Sequence, residues 1–282
     1  MSANPSLRSL LSSSSLPANE ARILLAYVLE KHYQLPRSAL LSRDDMTLND
    51  LAQTEWQSIE QRRLNGEPVA YILGKKGFHN IELSVAPGVL IPRPETELLV
   101  EIALGEIAKL NKPVKILDLG TGSGAIALAV ASASPESSLL ATDQSEVALA
   151  IAMQNAKSLK LTDRVQFAHG SWYQAIPEDS AFDIILSNPP YIADQDPHLA
   201  QGDLRFEPVS ALTDKASGLT CLEEIIFGAD QYLKPGGLIA VEHGFDQAKA
   251  VVALMTKAGL KDPKIHLDLA GHSRVSSARK SN

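Results

Sequence analysis

The stretch Ser187-Asn188-Pro189-Pro190-Tyr191 ends an apolar run, Ile184-Ile185-Leu186, with an amide, two prolines and an aromatic ring. Proline lacks an N–H and fixes its own φ, and the residue before a proline is pushed toward extended backbone. Asn188 and Pro189 are therefore both held extended, and the Pro189 carbonyl is expected to lack an intrachain partner. The Asn188 side chain adds a second acceptor close by. Two acceptors converging on one spot suit a planar –NH₂, on an amide or a base, with Tyr191 lying against its flat face. A surface turn with Asn as strand terminator uses the same residues without any ligand. Position argues for chemistry: the corner lies on the same sheet edge as a glycine-rich turn.

The nitrogen of a conjugated –NH₂ is a poor nucleophile, because its lone pair is spread into the carbonyl or ring. Accepting hydrogen bonds from both N–H groups returns density to it and aims it. Those bonds strengthen as the nitrogen turns positive, so they favour the transition state over the ground state. Held about 3–3.5 Å from an activated methyl, in line with the leaving atom, the nitrogen has most of what a displacement needs. No general base is evident in the motif.

The glycine-rich turn is "ILDLGTGSGAIAL", with Gly120, Gly122 and Gly124 separated by Thr121 and Ser123. Glycines let the backbone turn sharply and approach a ligand with no Cβ in the way. Gly120-x-Gly122-x-x-Ala125 also satisfies the dinucleotide fingerprint, and Asp143 ends the next strand where a ribose hydroxyl would be held. The turn alone leaves a nicotinamide cofactor and S-adenosylmethionine both open. Asp118 just before it favours the methyl donor, since a carboxylate repels a pyrophosphate but suits an amino group and a sulfonium.

Positioning these two turns takes a strand–helix alternation, which the chain shows from Pro94 onward. A helix from Glu95 to about Leu110 precedes a strand at Val114–Leu119. A helix over Ala125–Ala133, a strand over Ser138–Thr142 and a helix over Ser145–Leu159 follow. Further strands are expected near Val165–Ala168, Phe182–Ser187 and Gly237–Glu242, with helices near Leu222–Leu233 and Gln247–Ala258. The pattern implies an α/β, Rossmann-like, mainly parallel sheet with ligands beyond the carboxyl ends of the strands. Three regions are expected: residues 1–75 as a helical domain, 76–93 as a β-hairpin linker turning at Pro87-Gly88, and 94–282 as the α/β domain. In the first, Pro17 opens a helix with Ile23, Leu24, Tyr27 and Val28 at helical spacing. Thr47 is placed to cap another helix carrying Leu51, Trp56, Ile59 and Leu64, which Gly66 ends.

Composition narrows the partners. The net charge is −7, and the first 75 residues balance 8 basic against 8 acidic side chains. Neither region carries the basic excess of a protein that grips phosphates. One cysteine, Cys221, excludes an internal disulfide and implies a reducing, cytoplasmic setting. The N-terminus lacks the basic end and apolar core of a signal peptide, and no apolar run approaches membrane-spanning length. Glu242-His243 resembles half a metal site without the other half, so no metal is expected.

Together, "LDLGTGSGAIAL", "ATDQS" and "SNPPY" resemble class I S-adenosylmethionine-dependent methyltransferases acting on planar amino groups. "EPVAYILGKKGFHNIELSVAPGVLIPRPETE", "NPPYIADQDPHLAQGDLRFEP", "EHG" and "DLAGHSRV" narrow the resemblance to the release factor glutamine methyltransferases (the PrmC/HemK family), from about Glu67 to Val275. The resemblance implies N5-methylation of the glutamine in the Gly-Gly-Gln loop of peptide chain release factors, with S-adenosylmethionine as cofactor. It implies a seven-stranded sheet with its last strand antiparallel, joined by a hairpin to an N-terminal helical domain that contacts the release factor. Gly120, Thr121, Gly122, Ser123 and Gly124 would wrap the methionine part, Asp143 the ribose, and Trp172 the adenine. Asn188 would touch cofactor and substrate, with Pro189, Pro190 and Tyr191 receiving the glutamine. Arg93 or Glu95 would line the cofactor mouth or simply start a helix, Phe78 would be hinge packing or pocket wall, and Arg205 would hold the loop after the corner by ion pairing. The alternatives are an adenine or cytosine amino methyltransferase acting on nucleic acid, a nicotinamide-dependent oxidoreductase and a non-catalytic binding module.

Overall fold

The computed structural model describes residues 4–194 and 196–282. The chain divides into two compact units, Met1–Gly74 and Lys75–Asn282.

The first unit is helical: α1 (Leu7–Ser13), α2 (Ala18–Tyr33), α3 (Ala39–Ser42), α4 (Asp50–Leu64) and α5 (Val69–Leu73). α2 buries Ala21, Leu24, Leu25, Val28 and Leu29, the three-and-four spacing of a helix packed on one face. α4 adds Ala52, Trp56 and Ile59 to the same core. Leu51 and Leu64, expected on that face, are exposed. Thr47 is not the cap of α4. Asn49 stands directly before the helix and accepts from the Ala52 N–H at 2.9 Å, so proximity to the orphan donors decides between two capable residues.

The second unit opens with a hairpin, β1 (Lys75–Phe78) and β2 (Ile81–Ser84), paired antiparallel. Its turn is His79-Asn80, where His79 takes the left-handed conformation, and not the expected Pro87-Gly88. β2 packs on the helices α7 (Ala125–Ala133) and α8 (Glu146–Ser158). Phe78 is buried in the core of this unit and does not line the cavity described below. Asn155 of α8 fastens β2 in place: its Oδ1 accepts from the Ser84 N–H, and its Nδ2 donates to the carbonyls of Ser84 and Ser123.

The other elements are α6 (Glu97–Leu110), β3 (Lys115–Leu119), β4 (Ser138–Asp143), β5 (Val165–His169), β6 (Phe182–Ser187), α9 (Thr220–Tyr232), β7 (Leu233–Glu242), α10 (Ala248–Lys257), β8 (Lys261–Leu267) and β9 (Ser273–Arg279). Seven strands form one sheet in the order β5-β4-β3-β6-β7-β9-β8. All neighbouring pairs are parallel except those made by β9, which runs antiparallel to β7 and β8. Ile184 and Leu186 of β6 enter one core with α6 and α7, while Ile185 enters the other with α9 and α10. Burial on both faces explains why the strand is apolar throughout, at roughly 1.5–3 kcal/mol per large side chain.

β8 and β9 have no such signature. β8 is an edge strand with almost every residue exposed. β9 buries Ser276 and Ser277, whose hydroxyls meet His243 Nε2 and His266 Nε2, each at 2.8 Å.

Candidate active site

Sheet register assembles the site. β3 has β4 on one side and β6 on the other, so the strand order reverses there, where open α/β sheets bind ligands. Leu119 pairs with Thr142 and with Ser187, and Ser187 with Val241. The glycine turn, Asp143, the Asn188 corner and Glu242 therefore emerge side by side. Ser187 Oγ donates to the Leu119 carbonyl at 2.7 Å, tying the two functional turns at their roots.

The glycine turn is closed by its own backbone. The Gly120 and Thr121 N–H groups both donate to the Thr142 carbonyl at 2.9 Å, and the Gly122 N–H donates to Asp143 Oδ2 at 2.8 Å. Gly120 has φ +71°, and a Cβ there would stand 3.2 Å from the Trp172 ring, so this glycine makes room for the indole. Gly122 has φ +58°, and a Cβ there would meet nothing within 4 Å, because the position opens onto a cavity. Trp172 itself has φ 43°, a strained conformation for a bulky residue. Behind the turn, Asp118 is fully buried. Its Oδ2 accepts from Thr121 Oγ1 (2.6 Å) and the Ala127 N–H (3.3 Å), while Oδ1 has no partner. Burial pushes its carboxyl up to about 7, against the pull of those two donors. Burial also raises Asp143, opposed by the N–H groups of Ser145 and Gly122.

At the corner, Asn188 Nδ2 donates to Thr96 Oγ1 at 3.1 Å. Oδ1 has no partner among the described residues, which leaves it as the free end of the amide. Among the described residues, no donor pairs with the Pro189 carbonyl. Tyr191 is held on both sides: its hydroxyl donates to Glu242 Oε1 at 3.1 Å, and its carbonyl accepts from Gln247 Nε2 at 2.9 Å. Glu242 is buried with Oε2 unpartnered. Burial raises its carboxyl to about 7, against the Thr96 and Tyr191 hydroxyls and the positive Arg274. Burial likewise raises the Tyr191 phenol.

One cavity joins these parts. Gly120, Thr121, Gly122, Ser123, Asp143, Trp172, Asn188 and Pro190 line it; Gly124, Pro189 and Tyr191 do not. Gly124 is turned onto Leu128 and Ala152 at the start of α7. Two further loops line the cavity, Gly88–Pro92 and Pro208–Ala211, and neither was expected there. They are clasped to each other by Glu207, which accepts from the Ile91 N–H at 2.9 Å and pairs with the Arg93 guanidinium. Arg93, not Arg205, thus holds the loop after the corner, while Arg205 lies over the Phe206 ring. Glu95 is exposed. In sequence, a Thr beside Pro-Glu reads as a helix start, and Glu242 beside His243 reads as half a metal site; neither reading points to the corner. Among the described residues, no group of three or more His, Cys, Asp or Glu side chains could hold a metal ion, and no helix is long and apolar enough to cross a membrane.

The site fits S-adenosylmethionine on its own features: an open position at Gly122, a carboxylate at Asp143 and an indole at Trp172 around one cavity. Comparison with solved structures gives the same fold. A methyltransferase from Pyrococcus furiosus superposes with TM-score 0.54 at 18% identity, covering 80% of this chain and 100% of that one. The hMettl16 catalytic domain gives 0.56 at 14%, covering 83% and 82%. Two family descriptions match, the PrmC N-terminal domain over residues 6–74 and the methyltransferase small domain over residues 96–203. Release factor glutamine methyltransferases of Bordetella pertussis and Neisseria gonorrhoeae are each 48% identical, the first covering 96% of this chain and 97% of its own, the second 93% of both. That of Salmonella typhimurium is 42% identical over 95% of this chain and 94% of its own. With relatives this similar along nearly the whole length, the chain belongs to the release factor glutamine methyltransferases, enzymes that use S-adenosylmethionine.

Proposed function

We propose that this protein methylates the side-chain amide nitrogen of the glutamine in the Gly-Gly-Gln loop of peptide chain release factors, in the cytoplasm. The observation that carries the reading is the Asn188 amide, anchored by its nitrogen on Thr96 with its oxygen left free, in the cavity that the glycine turn lines. When bound, S-adenosylmethionine supplies a methyl carbon on a positively charged sulfur. Gly120, Thr121, Gly122 and Ser123 would hold its methionine end, Asp143 its ribose hydroxyls and Trp172 its adenine; Gly124 would shape the turn from behind.

Asn188 Oδ1 and the Pro189 carbonyl would accept the two N–H groups of the substrate amide. They orient the nitrogen and stabilise the positive charge that grows on it. The proline-fixed backbone makes these acceptors rigid before substrate arrives, so little reorganisation is left for the reaction itself. Pro190 forms cavity wall beside Asn188. Tyr191 supports the corner through Glu242 and Gln247. The helical unit at residues 1–74 would bind the release factor, since its balanced charge offers no grip for phosphates.

The deciding assay uses purified protein and methyl-labelled S-adenosylmethionine. A release factor is expected to take up label, and Gln→Ala in its Gly-Gly-Gln loop to abolish uptake. Label appearing in DNA or transfer RNA, with none in the release factor, would replace this reading with that of a nucleic-acid amino methyltransferase.

A further inference from the structure

A side-chain amide can be turned end for end at almost no steric cost, exchanging an acceptor for a donor. Only one of the two orientations of Asn188 serves the chemistry above. With Nδ2 toward the substrate, a donor would face a donor, and the –NH₂ would be repelled. Something inside the protein has to choose.

Thr96 Oγ1 is the partner of Asn188 Nδ2, but a hydroxyl donates or accepts equally well and by itself selects neither orientation. What fixes its direction lies behind it. The Thr96 hydroxyl sits against the Glu242 carboxylate, whose Oε1 is taken by the Tyr191 hydroxyl and whose Oε2 has no partner. Burial lifts Glu242 to about 7; above that pH it is ionised, and an ionised carboxylate only accepts. The Thr96 hydrogen is thereby drawn to Glu242, and its lone pair is what remains for Asn188. Thr96 and Glu242 are 4% and 1% exposed, which shields the relay from competing water.

Thr96 ends a 3-10 turn, Pro94–Thr96, that runs directly into α6, and its side chain makes no capping bond there.

We infer that Thr96, backed by Glu242, is a positioning residue that sets the Asn188 amide with its oxygen toward the substrate. The inference rests on the proposed role of Asn188 and deepens it.

The test measures turnover on a release factor and equilibrium binding of S-adenosylmethionine for the wild type, Thr96→Val, Thr96→Ser and Asn188→Ala. Thr96→Val keeps the shape and deletes the hydroxyl. It is expected to lower kcat about ten- to a hundredfold, the scale of a misaligned reacting group, with KM and cofactor affinity changed less than about threefold. Thr96→Ser is expected to restore most of the lost turnover. Near-normal turnover in Thr96→Val would overturn the inference, as would a Thr96→Ser variant as slow as Thr96→Val, which would assign the loss to packing. If Asn188→Ala is slow while Thr96→Val is not, only this inference falls; if Asn188→Ala turns over normally, the proposed role of Asn188 falls and takes it along. Should Thr96→Val unfold too readily to assay, Thr96→Ala, which crowds nothing, carries the same two outcomes.

Discussion

The glycine turn and the Asn188 corner leave adjacent strands at one sheet edge, and each is backed by a buried carboxylate with one oxygen unpartnered, Asp118 for the turn and Glu242 for the corner. Beyond that likeness they are built in opposite ways. The turn spends its polar backbone internally, with Gly120, Thr121 and Gly122 all donating to the end of β4. What it offers a ligand is shape. The corner leaves the Pro189 carbonyl unpaired and fixes the Asn188 amide from behind, so what it offers is direction. A cofactor that must only be held suits the first construction; a nitrogen that must be aimed requires the second.

Single substitutions on the two sides should therefore fail differently. Asn188→Ala removes an acceptor that matters most in the transition state, and turnover is expected to fall by several hundredfold, about the effect of deleting one oxyanion-hole donor. Cofactor affinity should barely change. Gly120→Ala adds a Cβ 3.2 Å from the Trp172 ring at φ +71°, where a left-handed residue costs roughly 1–2 kcal/mol. Here cofactor affinity is expected to drop about tenfold, while turnover at saturating cofactor stays close to wild type. Binding titrations alongside single-turnover rates separate the two. The same pattern in both variants would erase the distinction between shape and direction.

The buried carboxylates sharpen the comparison through pH. Burial raises Asp118 and Glu242 to about 7, from the ordinary carboxylate range near 4. In the unfolded chain both ionise near pH 4; in the folded chain both keep their protons until near pH 7. Folding therefore binds protons over that window, and stability falls as pH rises from about 4 to 7, then levels off. Asp118→Asn and Glu242→Gln should each flatten that decline, by roughly 2–4 °C in Tm per kcal/mol of linkage removed. Thermal melts from pH 5 to 8 read it directly. A slope unchanged in both variants would mean that neither carboxylate is as desolvated as its burial indicates.

Much of this was legible in the sequence, and the gaps have physical reasons. Ala125–Ala133 and Phe182–Ser187 were expected with the boundaries observed, because apolar runs ended by Gly or Pro state their own limits. β8 and β9 were not found from their residues: an exposed edge strand and a strand whose buried serines are satisfied by histidines show no apolar period. Within the site, residues that work through local geometry were readable, namely the glycines and the Asn-Pro-Pro corner. Thr96, Glu242, Glu207 and Asn155 act across 51 to 116 positions of sequence. No local pattern announces such partners, and the bond that ties Tyr191 to Glu242 lies beyond any motif.

Tyr191 gives the smallest and most discriminating test of how the corner is held. Its hydroxyl reaches Glu242 and its carbonyl Gln247, so the backbone anchor survives when the hydroxyl is removed. Tyr191→Phe leaves Glu242 Oε1 without its donor, which raises that carboxyl further and strips one of the two hydroxyls opposing its protonation. Once protonated, Glu242 is itself a donor and no longer commands the direction of Thr96. Turnover of Tyr191→Phe is thus expected to fall only about a few-fold at pH 8.5, where Glu242 stays ionised and still directs Thr96, and to fall further below the wild type as the pH drops toward 7. A pH–rate profile parallel to that of the wild type would confine Tyr191 to packing. A collapse of turnover at every pH would instead put its ring against the substrate, and the corner would then hold the amide by stacking as well as by direction.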